Sequence, residues 1–181
     1  MKVPKHYATP SVLLHWLTAV LILTAIPLGL YLSDLPLSPN KLKLISYHKW
    51  IGITVLFLFL PRLLLRLTQP VPAALEAPAW QRFAASATHG LLYVLLIAVP
   101  LTGWLMSSAK GFPVVYLGIL PLPDLVAKDQ ALGDLFKTIH ETLNDGLLIL
   151  IGLHVAAALK HQFVDRDETL VRMMPILKRS N

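Results

Sequence analysis

The 181-residue chain contains no cysteine. That excludes disulfides, thiolate zinc sites, iron–sulfur clusters and covalent c-type haem attachment. Charge is also scarce: Asp, Glu, Lys and Arg make up 14% of residues, against roughly 25% in a soluble domain. Acid is the scarcer sign, with 10 Asp and Glu against 16 Lys and Arg, for a formal net charge of +6. A basic balance can signal nucleic acid, but the aromatic–basic interleaving that stacks bases is missing, so no nucleic-acid partner is expected. The basic residues read instead as topogenic. What is abundant is apolar sequence, 55% of the chain, and it is gathered in blocks. That is the pattern of a polytopic membrane protein whose first partner is the lipid bilayer.

Spanning a hydrocarbon layer of about 30 Å takes about 20 helical residues. Four segments qualify, at about 11–32, 44–66, 84–106 and 136–160. They predict an all-α integral membrane four-helix bundle, with residues 1–181 as a single transmembrane domain. The basic-then-apolar start resembles a signal peptide, but its apolar run is long and no small-x-small pattern closes it, so a retained helix is expected. Pro27, Pro61 and Pro100 fall in the first three spans and predict kinks. Between the spans lie "SDLPLSPNK", "TQPVPAALEAPAWQ" and "LPLPDLVAKDQALGD", rich in proline and polar residues. "FPVVYLGILPLP" (112–123) is apolar but too short to cross, and predicts an interfacial or re-entrant piece of the third loop. Lys2, Lys5, Arg62, Arg66, Arg82, Lys160, Arg166, Arg172, Lys178 and Arg179 lie on the side of the termini. Lys41, Lys43, Lys49, Lys110, Lys128 and Lys137 lie on the other side. This bias predicts both termini in the cytoplasm of a bacterial inner (plasma) membrane protein.

Histidine is costly inside a bilayer unless it has a hydrogen-bonding or metal partner. His15 and His154 fall near the inner surface, His48 and His140 near the outer one. At about 100° per residue, the fourteen residues from His140 to His154 make nearly four turns, which puts both on one face about 21 Å apart. One helix then offers one ligand at each of two depths, and helices one and two offer the opposite ligands. Zinc or copper wants three or four N, S or carboxylate ligands together. Two imidazoles facing each other in an apolar bundle suit haem b, whose macrocycle fills the core and takes axial histidine. The expectation is two b haems stacked across the bilayer, His15 and His154 holding the inner and His48 and His140 the outer. His89, at the start of the third span, reads equally as a quinone contact, a propionate contact or packing. Gly52, Gly90, Gly103, Gly146 and Gly152 read as close-packing positions or as room for a bulky ring.

The motifs "LLHWLTA" (13–19), "YHKWIGI" (47–53), "HGLLYVLLIAVPLTGWLMS" (89–107), "IHETL" with "GLHVAAALKHQF" (139–163) and the tail "DRDETLVRMMP" (165–175) together resemble the bacterial cytochrome b561 family. The resemblance covers nearly the whole chain. It implies small four-helix inner-membrane di-haem proteins related to the cytochrome b subunits of nickel–iron hydrogenases. In that family, histidines of helices one, two and four bind the haems, which agrees with His15, His48, His140 and His154. At least one member oxidises superoxide outside and passes the electron to ubiquinone.

The expected activity is therefore one-electron transfer by a membrane oxidoreductase, from superoxide on the periplasmic side to ubiquinone. The outer lysines, Lys49 and Lys137 first among them, would attract the anion, opposed by Glu141 and Asp145. An alternative is an electron-carrier subunit linking a redox partner protein to the quinone pool. A different class, a histidine-lined metal transporter, needs a polar water-filled path. The spans hold few polar residues besides Thr18, Thr24, Thr54 and Thr102, which disfavours it.

Overall fold

Four long helices dominate the computed structural model, which describes Pro4, residues 6–73 and residues 75–174. They are α1 (Thr9–Asp34), α2 (Pro39–Thr68), α3 (Ala79–Ala109) and α4 (Gln130–Lys160), and α4 passes into a single π-helical turn, His161–Asp165. All four are long and apolar enough to cross a membrane. Each runs past the apolar span expected of it, and two of them, α2 and α4, start on a polar side-chain cap. Ser38 caps α2, its hydroxyl accepting from the Lys41 amide at 3.2 Å, and Pro39 follows where a missing N–H costs nothing. Asp129 caps α4, its carboxylate accepting from the Leu132 amide at 2.9 Å.

The packing is inverted relative to a soluble protein. Leu13, Leu23, Phe57, Leu60, Ile149 and Leu153 are exposed, and the small set of buried residues includes Thr18, Ser107 and Ser108. Apolar side chains facing outward suit a lipid solvent. The buried hydroxyl of Thr18 donates back to the Leu14 carbonyl at 2.6 Å, so it needs no water. Helices pack in sequence: α1 on α2, α2 on α3, α3 on α4. Pro27, Pro61 and Pro100 lie inside α1, α2 and α3 without ending them.

The third connection is more structured than its composition suggested. Residues 112–123 form a two-stranded antiparallel hairpin, β1 (Val115–Tyr116) and β2 (Leu120–Pro121). Its turn uses Leu117 and Gly118, both at positive φ (53° and 74°), with the Ile119 amide donating to the Tyr116 carbonyl at 3.1 Å. A positive φ is easy for glycine but unusual for leucine. The hairpin lies along α2. Trp50 Nε1 donates to the Val115 carbonyl (2.7 Å), the Thr54 and Tyr116 hydroxyls are 2.9 Å apart, and Phe57 packs edge-on to Tyr116 at 5.6 Å. Val114 is buried while Ile119 at the tip is 83% exposed. Pairing within the hairpin and to Trp50 satisfies backbone groups that a bare loop would leave open.

The two ends of the bundle are thus distinct. One carries the hairpin. At the other, residues 166–174 fold back, with Trp16 Nε1 donating to the Met173 carbonyl (2.7 Å) and Arg172 donating to the Ala73 carbonyl (2.7 Å). We call these the hairpin side and the tail side. Lys2, Lys5, Lys178 and Arg179, four of the residues behind the expected orientation, lie outside the described residues.

Candidate functional site

The structure brings the four predicted histidines together in the predicted pairs. On the tail side, the His15 and His154 ring centroids are 6.3 Å apart with planes at 69°. On the hairpin side, His48 and His140 are also 6.3 Å apart, with planes at 86°. Two imidazoles bonded at about 2 Å to a metal on the line between them have centroids roughly 6 Å apart. Both pairs have that spacing.

Their surroundings differ. His140 Nδ1 lies 2.9 Å from the Val99 carbonyl and 3.3 Å from the Thr102 hydroxyl. Donating from Nδ1 to the carbonyl fixes the tautomer and leaves Nε2 as the ligand atom. His48 Nδ1 is buried and faces the Ala25 backbone without a hydrogen bond of normal geometry. Glycines clear space for both rings: a methyl at Gly29 would lie 3.0 Å from His48 Cε1, and one at Gly103 would lie 3.0 Å from His140 Cε1.

On the tail side a third histidine joins. His89 of α3 lies 5.4 Å from His154, centroid to centroid. Arg62 of α2 reaches His15, Nη2 to Nδ1 at 3.0 Å, while its guanidinium sits over the Tyr93 ring at 5.5 Å. A guanidinium only donates, so His15 Nδ1 is the acceptor and the ring proton sits on Nε2. Leu63, Arg66, Ser86, His89, Gly90 and Tyr93 line a half-open cavity of about 380 Å³ beside this pair.

Among the described residues, the one group of three or more His, Cys, Asp or Glu ligands close enough to share a metal ion is His161, Asp165 and Asp167, away from both pairs. A bare ion would therefore find two ligands at each pair, whereas a haem iron brings four nitrogens of its own and needs two. The donor set and spacing fit haem.

The family model for prokaryotic cytochrome b561 matches residues 6–175. The chain belongs to that family. It is 34% identical over 173 residues to cytochrome b561 homolog 2 of Escherichia coli K12, covering 94% of this chain and 92% of that one. It is 32% identical over 171 residues to cytochrome b561 homolog 1 of the same organism, at 93% and 97% coverage. A Yersinia pestis protein named "Probable superoxide oxidase CybB" is 31% identical over 179 residues, at 94% and 97% coverage. This cytochrome is a multi-pass bacterial membrane protein of the electron-transfer type that binds b-type haem.

When bound, haem supplies the one-electron chemistry. His15 with His154, and His48 with His140, are the residues that would hold it. With both imidazoles of a pair holding the group, the chemistry it would supply there is electron transfer and not oxygen binding. The chain's own part is to hold the His140 ring in its tautomer through the Val99 carbonyl and, at Gly29 and Gly103, to keep the His48 and His140 rings clear of side chains.

The predicted lysines are engaged. Lys49 Nζ donates to the Phe112 carbonyl at 2.9 Å, anchoring the hairpin to α2. Lys137 pairs with Glu141 at 2.6 Å on the exposed face of α4. Lys110 pairs with Asp134 at 2.8 Å, and Lys41 donates to the Leu35 carbonyl at 2.5 Å. The sequence reading missed Arg62 as a partner of His15, although an arginine inside an apolar span ("PRLLLR", 61–66) is itself a signal of function. It also missed Gly29, whose role depends on which α2 side chain crosses it.

Proposed function

We propose that this cytochrome carries electrons through two b haems, one held by His15 and His154 and the other by His48 and His140, from superoxide at the hairpin side to ubiquinone in the membrane. The carrying observation is the matched 6.3 Å spacing of two histidine pairs sharing α4. In balance, two superoxide ions each give up one electron and leave as O₂. One quinone gains two electrons and two protons and leaves as quinol. The quinone headgroup enters the cavity beside His154, where His89, Ser86 and Tyr93 offer hydrogen bonds. The hairpin side is periplasmic and both termini are cytoplasmic in an inner membrane, a reading that rests on the lysine and arginine bias along the sequence.

A reduced-minus-oxidised spectrum with a haem count tests the foundation: two low-spin b haems per chain are expected, and a count of one sinks the pairing. Stopped-flow reduction by a superoxide source tests the donor. Reduction should be fast, suppressed by superoxide dismutase and slower as salt rises. If dismutase changes nothing, superoxide is not the donor.

The second reading, an electron-carrier subunit fed by a redox partner protein, is favoured by the engaged lysines. Lys49 is committed to the Phe112 carbonyl and Lys137 to Glu141, which leaves less unbalanced charge to draw a small anion.

A further inference from the structure

We infer that the small cavity beside His15 is a carboxylate pocket that takes the propionate groups of the tail-side haem. The inference rests on the proposed haem at His15 and His154. The cavity, about 60 Å³, is lined on its polar side by Tyr7, Ser11, His15, Arg62, Arg66 and Gln69. By the measure that a water needs roughly 10–15 Å³, it has room for a few small polar groups and not for a second ring. Ala8, Leu65, Pro70, Val71 and Met173 complete the wall, and no Asp or Glu lines it.

Its charge is uncompensated. Among the described residues neither Arg62 nor Arg66 forms an ion pair with a carboxylate. Both sit on α2 one turn apart, and His89 is close enough to feel their charge. Cations inside a membrane bundle are stable only when paired or wet. Arg62 spends its Nη2 on the lone pair of an imidazole, a poor substitute for an oxyanion. α1 adds to the same sign. It starts at Thr9 with no side-chain cap, and its N-cap residue Ala8 lines the cavity, so the positive helix end lies at the same place, although Pro10 has no N–H and the Ser11 amide donates to the Ala8 carbonyl at 2.9 Å.

A planar carboxylate answers all of these groups. Arginine binds it through two parallel N–H donors, with Ser11, Tyr7 and Gln69 able to take the remaining lone pairs. The pocket adjoins His15 itself, so a carboxylate on a ligand held by His15 needs only a short flexible arm to enter it. A carboxylate there also draws Arg62 off His15 Nδ1. The ring can then carry its proton on Nδ1, as His140 does, and offer Nε2.

The test loads the full-length chain, produced in a haem-auxotrophic host, with iron protoporphyrin IX or with its dimethyl ester. The native porphyrin should give two haems per chain. The ester, which has lost both negative charges, should fill the hairpin-side centre and leave the tail side at least tenfold less occupied. In the holoprotein, Arg62→Gln with Arg66→Gln should speed loss of one of the two haems to apomyoglobin at least tenfold. Arg62→Lys with Arg66→Lys, which keeps the charge, should restore most of the retention. Equal loading of both porphyrins at both centres, or unchanged haem loss from the Gln variant, overturns the inference and leaves the two-haem reading standing. Failure to take up either porphyrin sinks that reading as well. If the Gln variant instead loses a bound anionic phospholipid at unchanged haem retention, the pocket holds a headgroup phosphate and the inference is wrong.

Discussion

The two histidine pairs have the same spacing and opposite surroundings. On the hairpin side the ligand ring is set by backbone: His140 leans on the Val99 carbonyl, and Gly29 and Gly103 give the two rings room. On the tail side it is set by charge: Arg62 touches His15, Arg66 and His89 stand nearby, and a cavity opens beside them. A neutral carbonyl behind a ligand raises its basicity and fixes its tautomer without adding net charge. A guanidinium brings a full charge that needs an anion. Equal distances therefore hide unequal chemistry, with a backbone-held pair on one side and a charged pair beside a cavity on the other. The second adjoins a cavity of about 380 Å³, a size for a headgroup.

The comparison breaks most completely if one pair is removed and the other stays. His140→Ala should abolish the hairpin-side haem and His154→Ala the tail-side one, each leaving one haem per chain by pyridine haemochrome assay. Loss of both haems from either variant would mean that the centres do not assemble independently.

A smaller effect should come from the glycines, and on one side alone. Gly103→Ala or Gly29→Ala places a methyl 3.0 Å from a ring carbon of His140 or His48, so the ring must shift. We expect weakened hairpin-side haem binding and an altered low-spin EPR signal for that haem, with the tail-side signal unchanged. Smaller again is the hairpin itself. Trp50→Phe removes a hydrogen bond to the Val115 carbonyl, worth about 1 kcal/mol. Lower protection of residues 113–121 in hydrogen exchange, with both haems retained, would check it.

The smallest effect concerns the tail side. Burial acts to raise the pKa of Asp167, but hydrogen bonds from Thr169 and the nearby His161 outweigh it and hold the carboxyl below its usual value. A depressed carboxylate adds stability that is complete above its unfolded pKa, about 4, and is lost as pH falls through the folded value. Segment 166–174 should therefore loosen in acid below about pH 4, seen as faster proteolysis there, and Asp167→Asn should remove that pH dependence.

Four helices and two histidine pairs were legible in the sequence because both follow from periodicity. An apolar run of fixed length must cross, and two histidines fourteen residues apart must share a face. Arg62 was not, because its contact with His15 joins residues 47 apart in sequence, across two helices whose rotation about their axes no single-helix pattern fixes. Gly29 was hidden for the same reason. The hairpin was hidden by composition: leucine at a positive φ and prolines within and beside its strands contradict strand and turn preferences, and docking on Trp50, Thr54 and Phe57 overrides them. Lys49 and Lys137 were legible as cations, but charge on a sequence does not say which oxygen each has already claimed.

The indole of Trp16, next to His15, is held by the carbonyl of Met173, 157 residues later. His15 faces His154, and the cavity beside it is closed in part by Met173. During synthesis the first histidine emerges early and its partner almost last. The hairpin-side pair can meet once α4 has begun to form, whereas the tail-side centre has no roof until nearly the whole chain has left the ribosome. Assembly therefore has a built-in order, and a chain stalled or clipped before Met173 would leave its arginine pocket half-built.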